Sequence, residues 1–280
     1  MRMKTILILT FLLAGCGSPS GSSVPGKKHV VAAFYPLAFA AQQLGGSRVR
    51  VDNLTPPGAE PHDLEVSPAT VQDVQSAVLV FLLGNGFQPQ LERAAGTSGK
   101  VLLLLDTPGL HRFPNNDPHV WLDPHRFELI VVRIGRALHA GARTTRLVRK
   151  LRAVDREYRT GLANCKRHEI ATSHEAFAYL AQRYGLRQVA ITGLSPEAEP
   201  APRDLQRVVD LVRKTHATTI FYETLVSPRI AETVARETGA RTAVLNPIEG
   251  LKPSEAKRGE DYFSLMRSNL AQLRTALGCR

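Results

Sequence analysis

The sequence is short of what several functions need. Aromatic side chains are few, 10 Phe, 6 Tyr and a single Trp in 280 residues, too little material for the stacking platforms of a single-stranded nucleic-acid binder. No apolar run reaches the roughly 18 residues of a membrane-spanning helix. The three cysteines, Cys16, Cys165 and Cys279, form no CxxC or other metal spacing, so metal chemistry here must rest on histidine and carboxylate. Glycine-rich phosphate loops (GxGxxG, GxxxxGK[ST]) are missing, which leaves nucleotide hydrolysis to a partner. HExxH and GxSxG are missing too, removing the common zinc-peptidase helix and the serine-hydrolase elbow. Acid is also scarce, 25 Asp and Glu against 36 Lys and Arg for a net charge of +11. That excess admits nucleic acid, an anionic membrane or an acidic partner. With 43% hydrophobic and 22% charged residues, the chain is neither disordered nor collagen-like and is long enough for two domains.

The N-terminus indicates the compartment. Residues 1–15 have a basic start at Arg2 and Lys4 and an apolar run over 6–14, the pattern of a signal peptide. Leu13-Ala14-Gly15-Cys16 then resembles a bacterial lipobox, and a Ser-, Gly- and Pro-rich stretch over residues 16–28 reads as a tether. The expectation is an exported chain, lipidated at Cys16 and anchored to the outer face of the cytoplasmic membrane. Cys165 and Cys279 would in that oxidising exterior be either a disulfide or two unpaired cysteines.

After the tether, nearly continuous apolar runs at 30–35, 49–54, 78–83 and 101–105 read as parallel strands buried on both faces. Helix-like stretches at 36–44, 68–76 and 88–95 separate them. The rhythm returns with strands at 170–173, 188–192, 218–222 and 242–245 and helices at 176–183, 202–215, 228–238 and 262–277. In between, Leu147, Leu151, Val154, Tyr158 and Leu162 recur at helical spacing. The fold class is therefore α/β: two lobes, each with a mainly parallel sheet flanked by helices, joined by one long backbone helix. The boundaries expected are a leader at 1–15, a tether at 16–28, an N-terminal lobe at 29–142, a linker helix at 143–164 and a C-terminal lobe at 165–280.

Three of the nine histidines sit just beyond predicted strands or in the loops that follow them, each near an acidic residue. They are His62 in Glu60-Pro61-His62-Asp63, His119 in Asp117-Pro118-His119 and His174 in Ser173-His174-Glu175. Ligands of open α/β sheets bind beyond the carboxyl ends of the strands, so facing lobes would bring these imidazoles together in the cleft. Neutral imidazole suits zinc, and a neighbouring carboxylate orients the ring. His29, His125, His139, His168 and His216 fall at segment ends or on helix surfaces and read as ordinary surface residues. Glu223, after the strand at 218–222, faces either the cleft or a salt bridge.

Together these residues resemble the solute-binding lipoproteins of bacterial zinc and manganese ABC transporters, the cluster A-I metal receptors. The resemblance is carried by Pro57-Gly58-Ala59-Glu60-Pro61-His62-Asp63, Asp117-Pro118-His119-Val120-Trp121, Ser173-His174-Glu175-Ala176-Phe177-Ala178-Tyr179-Leu180, Val244-Leu245-Asn246-Pro247 and the stretch from Tyr262 through Leu270. It implies metal held between the lobes by His62, His119 and His174, Zn2+ rather than Mn2+ because the third ligand is His and not Glu. It also implies a monomeric receptor, not an enzyme, that hands metal to a permease and its ATPase. Where the family often has Asp in the fourth motif this chain has Asn246, so the fourth position is Asn246, the nearby Glu60 or water. The His-rich loop of many zinc members is reduced to His111 between residues 106 and 117.

Two other classes fit some of these residues: a three-histidine zinc hydrolase with Glu175 or Glu60 as general base, and a metal-binding adhesin. The charge excess is local. Residues 143–168 hold nine Lys and Arg against Asp155 and Glu157, which places it on the linker helix, as a solvated face or a contact with anionic headgroups, and not in the cleft. Nucleic acid is not an expected partner.

Overall fold

The computed structural model describes residues 26–96, 100–113, 115–197 and 200–280. The leader, Cys16 and most of the tether lie outside the described residues. The N-terminal lobe is built from β1 (Lys28–Ala32), α1 (Tyr35–Gly45), β2 (Val49–Asn53), α2 (Pro68–Ser76), β3 (Leu79–Leu82), α3 (Pro89–Ala95), β4 (Val101–Leu103) and α4 (Pro124–Ala137). The long helix α5 (Gly141–Gly161) follows. The C-terminal lobe contains β5 (Glu169–Thr172), α6 (Ala178–Tyr184), β6 (Arg187–Ala190), α7 (Pro202–Thr215), β7 (Thr219–Tyr222), α8 (Arg229–Thr238), β8 (Arg241–Val244), α9 (Pro253–Lys257) and α10 (Tyr262–Leu277).

Each lobe has a four-stranded sheet, ordered β2-β1-β3-β4 and β6-β5-β7-β8, with every pairing parallel. Parallel pairing follows from helical crossovers that return the chain to the same edge, so loops at the strands' carboxyl ends gather on one rim. In both lobes the order reverses beside the first strand, opening a crevice at that rim. The expected strands and crossovers agree with the structure to within a few residues.

Three elements differ, one of them the five-residue α9 (Pro253–Lys257), to which the sequence reading assigned nothing. The sequence reading assigned nothing to residues 124–137, yet α4 forms there, with Asp123 accepting the His125 N–H at its start (2.9 Å) and Phe127, Ile130, Val131 and Ile134 buried. The linker helix spans Gly141–Gly161, against the expected 143–164. Its buried stripe is Leu147, Leu151, Val154 and Tyr158. The cysteines left open between two readings form the disulfide Cys165–Cys279, which ties the first residues after α5 to the last turn of the chain.

One hydrophobic core runs from the first sheet through α4, α5 and α10 to the inner side of the second lobe. The Tyr158 hydroxyl donates to the Met266 carbonyl on α10 (2.6 Å). The Tyr262 hydroxyl donates to the Trp121 carbonyl in the first lobe (2.7 Å). Charge adds a third stitch: buried Asp123 lies 3.1 Å from Arg183 on α6, which also grips Asp155 on α5 at 2.6 Å. Both lobes and the helix between them are thereby fastened along one side, leaving the strand rims to face each other on the other.

Candidate metal centre

His62 lies in the loop after β2. Gln88 Nε2 donates to the Pro61 carbonyl (3.1 Å), and the Glu60 carboxylate accepts the His62 N–H (3.1 Å). These bonds hold the ring against Phe87, centroids 4.7 Å apart. His119 follows β4 by a longer route. One oxygen of Asp117 accepts both its backbone N–H (2.9 Å) and its ring Nδ1–H (2.7 Å). Because an ionised carboxylate only accepts, Nδ1 must carry the proton, which leaves the Nε2 lone pair pointing into the cleft. His174 comes directly after β5, with Nδ1 2.6 Å from Glu223 Oε1. Glu223 follows β7, the neighbour of β5, so both readings of it meet: it faces the cleft and pairs there with His174.

The three Nε2 atoms converge on a residue that the sequence reading did not consider. Glu249 Oε1 lies 3.5 Å from His62, 3.0 Å from His119 and 3.8 Å from His174. One ligand atom from each of the four residues falls within 4.8 Å of all the others. His119, His174 and Glu249 are almost completely buried. The three Nε2 atoms and both Glu249 oxygens nevertheless lack a hydrogen bond of acceptable geometry. Each unsatisfied buried polar atom costs about 1–3 kcal/mol, and four such ligand atoms grouped within 4.8 Å are the donor set that a cation would satisfy. Tetrahedral zinc, with bonds of about 2.0–2.2 Å to imidazole and carboxylate, takes this donor set.

Asn246, expected among the candidates for the fourth position, has its polar groups engaged with the chain around it. Its Oδ1 accepts the Ile248 N–H (2.7 Å), its Nδ2 reaches Thr224 Oγ1 (3.4 Å), and its backbone is bracketed by Asn269 through bonds of 2.8 and 2.6 Å. Its role is to shape the loop that carries Glu249. Within that loop Ile248 is fully buried at φ 59°, a left-handed conformation that a β-branched residue adopts at a cost of about 1–3 kcal/mol. The Trp121 indole N–H, donating to the Pro247 carbonyl (2.7 Å), helps hold it. The kink turns Glu249 inward. One signal could have found Glu249: it is a carboxylate beyond the carboxyl end of a strand, the same rule that selected the histidines, although Ile248's backbone angle is not written in any residue type. Glu60 adjoins the cluster, in a carboxylate group with Glu223 and Glu249, and Glu175 stays outside it. Of the histidines set aside, His29 pairs with Asp52 (2.8 Å), and His139 and His216 occupy left-handed turns at helix ends.

The electrostatics are those of a site that holds protons where a cation belongs. Burial pulls His119 down, but Asp117 and Glu249 outweigh it and raise its pKa. His174 is likewise opposed by burial and is pushed up to about 10 by Glu223 and Glu249. Burial would raise Glu249, yet the three imidazoles hold it well below the usual carboxylate range. Glu60 rises to about 9 through burial and the Glu249 charge, so it is neutral at pH 7.

Known proteins resemble this chain in sequence and fold. The sequence profile of the family described as the zinc-uptake complex component A, periplasmic (ZnuA) matches residues 30–276. The chain is 31% identical to the high-affinity zinc uptake system protein ZnuA of Bacillus subtilis over 95% of this chain and 94% of that protein. It is 34% identical to the zinc-binding lipoprotein AdcA of Streptococcus pneumoniae over 97% of this chain, but spans only 61% of AdcA's length. Among solved structures, the Zn(II)-bound ZnuA-like domain of that AdcA superposes with a TM-score of 0.78 at 34% identity, covering 90% of this chain and 99% of that domain. The laminin-binding protein Lmb of Streptococcus agalactiae gives a TM-score of 0.81 at 29% identity, covering 89% of this chain and 98% of Lmb. The zinc relatives are named as binding and uptake proteins, not as enzymes. Paired parallel sheets, the long helix between them and the profile match over nearly the whole described chain give one answer: this protein belongs to the ZnuA family of zinc-uptake components.

Proposed function

We propose that the chain captures Zn2+ outside the cytoplasmic membrane and delivers it to a permease driven by a separate ATPase. Zinc is the cargo, bound by His62, His119, His174 and Glu249. The observation that carries this reading is the cluster of four ligand atoms, one each from His62, His119, His174 and Glu249, within 4.8 Å of one another, with the three Nε2 atoms and the Glu249 oxygens buried and without a hydrogen-bond partner. Three imidazoles and one carboxylate favour zinc, since manganese prefers sites richer in oxygen. Asp117 and Glu223 set the ring orientations, and Asn246 with Asn269 sets the Glu249 loop. Leader removal over residues 1–15 and lipidation of Cys16 would place a monomer on the outer face of that membrane, held by the tether at 16–28. A hydrolase would leave the fourth zinc position to water; here a buried carboxylate faces it, which favours storage over turnover. Calorimetric titration of metal-stripped protein with zinc and then manganese tests the reading. One tight zinc site and much weaker manganese binding are expected, and His119→Ala should remove the tight site. Unchanged zinc affinity in that variant would overturn the proposal.

A further inference from the structure

The basic excess gathers at a definite place. α1 returns from the metal rim to the strand starts, so its end at Gly45 lies beside Val49, which pairs in register with Lys28. There α5 begins. The Arg143 guanidinium packs so closely on Gly46 that a Cβ there would meet it at 2.9 Å. Arg48 reaches the Leu138 carbonyl at 3.5 Å, just before that helix. Along α5, Arg143, Arg146 and Lys150 recur at i, i+3 and i+7, one stripe of the helix surface. With Gln43 of α1 and Leu147 they line a groove of about 70 Å³ that has no carboxylate in its wall among the described residues. The ion pairs of α5 occur farther along, Arg152 with Glu128 and Arg159 with Asp155. Lys27 and Lys28 are exposed at the point where the described chain enters this end of the lobe.

We propose that this groove and the cations around it bind the phosphate headgroups of anionic membrane lipids, seating the first lobe on the membrane with its metal rim turned away. The proposal rests on the exported, Cys16-anchored reading above. Lys28 is twelve positions beyond Cys16, so even a fully extended chain keeps this end within about 40 Å of the lipid. Screening at physiological salt leaves about 8 Å of electrostatic reach, so only a surface presented at close range gains from the contact. The strand starts are that surface, and the ligand loops, at the opposite ends of the same strands, remain open to the medium from which metal is captured. Each cation near such a membrane strengthens binding roughly five-fold.

The test uses the chain from Gly17 onward, which contains every described residue and carries no lipid, so that vesicle binding owes nothing to the anchor. Co-sedimentation with vesicles of 30% phosphatidylglycerol in phosphatidylcholine is compared with phosphatidylcholine alone. Binding to the anionic vesicles that weakens steeply with salt is expected. Arg143→Gln/Arg146→Gln/Lys150→Gln should lower it on the order of 100-fold while zinc affinity stays unchanged, which reports an intact fold. Removing the same charge elsewhere, by Arg203→Gln/Lys214→Gln/Arg241→Gln, should lower it far less. Equal losses in the two triple variants, or no preference for anionic vesicles, would overturn the proposal. So would inorganic phosphate binding in the groove without vesicle binding. Radiolabelled fatty acid incorporation at Cys16 tests the anchor separately, so the two failures cannot be confused.

Discussion

The two lobes share one strand order and contribute to the site unequally. The first supplies His62 and His119, with Asp117 behind the latter, on a scaffold whose core is continuous with α4, α5 and α10. The second supplies His174 and the two carboxylates Glu249 and Glu223. Its outer layer packs on a separate small cluster of Val, Ala and Ile from α7, α8 and the sheet. It carries the strained Ile248 loop and is closed by Cys165–Cys279 at its two ends. The first lobe therefore holds two nearly preset imidazoles, and the second brings the charge that completes the site. What it lacks in core it makes up with a covalent tie.

That contrast can be broken in order of effect. Removing the Cys165–Cys279 bond, whose cysteines are 114 residues apart, should cost about 4–5 kcal/mol of unfolding free energy. Amide hydrogen exchange should show the loss in α7, α8 and β6 first; equal loss in β1 and α1 would mean that the lobes unfold as one unit. Next come the ligands. A four-ligand zinc site is worth roughly 10–16 kcal/mol, so Glu249→Ala and His119→Ala should each cost about 3 kcal/mol, more than 100-fold in zinc affinity. Asn246→Ala should cost less because it only loosens the Glu249 loop. The reverse order in calorimetry would restore Asn246 as a ligand.

Smaller effects sharpen the same contrast. Asp117→Asn and Glu223→Gln each orient one ring, one per lobe, and should lower zinc affinity about 10–100-fold; a large loss from one alone would locate the preset half of the site. The gentlest change is with pH. In metal-free protein His174 has a pKa raised to about 10, so its stabilising contribution is complete below about pH 6.5 and is lost as pH rises toward 10. Glu60, raised to about 9, adds to this loss between about pH 4.5 and pH 9, where the folded chain keeps a proton that the unfolded chain has released. Glu249, held low by the imidazoles, gives stability that is present above about pH 4.5 and is lost only as pH falls through its own depressed value. Zinc displaces the imidazole protons. Its affinity should therefore keep rising from pH 6 to pH 9, about ten-fold per unit per proton released, while melting of the metal-free protein shifts downward over the same range. A plateau at pH 7 would mean that the imidazoles titrate as free histidine.

The fold was legible because buried parallel strands and amphipathic helices leave their period in the sequence, and because Tyr158 and Leu151 mark one face of α5 without ambiguity. The three histidines were legible through their place beyond strand ends. α4 is also legible, in the helical spacing of Phe127, Ile130, Val131 and Ile134, although the sequence reading assigns no element there. Glu249 is not legible in that way. What selects it over Asn246 is a backbone turn at Ile248 imposed by Asn269 and Trp121, residues distant in sequence and joined only by the folded chain. Packing decides that turn, and local composition carries no record of it.

Trp121 has one more consequence. It is the single tryptophan of the chain, its ring centroid lies 5.2 Å from that of His119, and its indole N–H is bonded across the cleft to Pro247. Any parting of the rims breaks that bond, and any exchange of proton for metal at His119 changes the charge beside the indole. The protein is thus its own optical gauge: without dye or label, its ultraviolet emission reports in real time both how full the cleft is and how far it has opened.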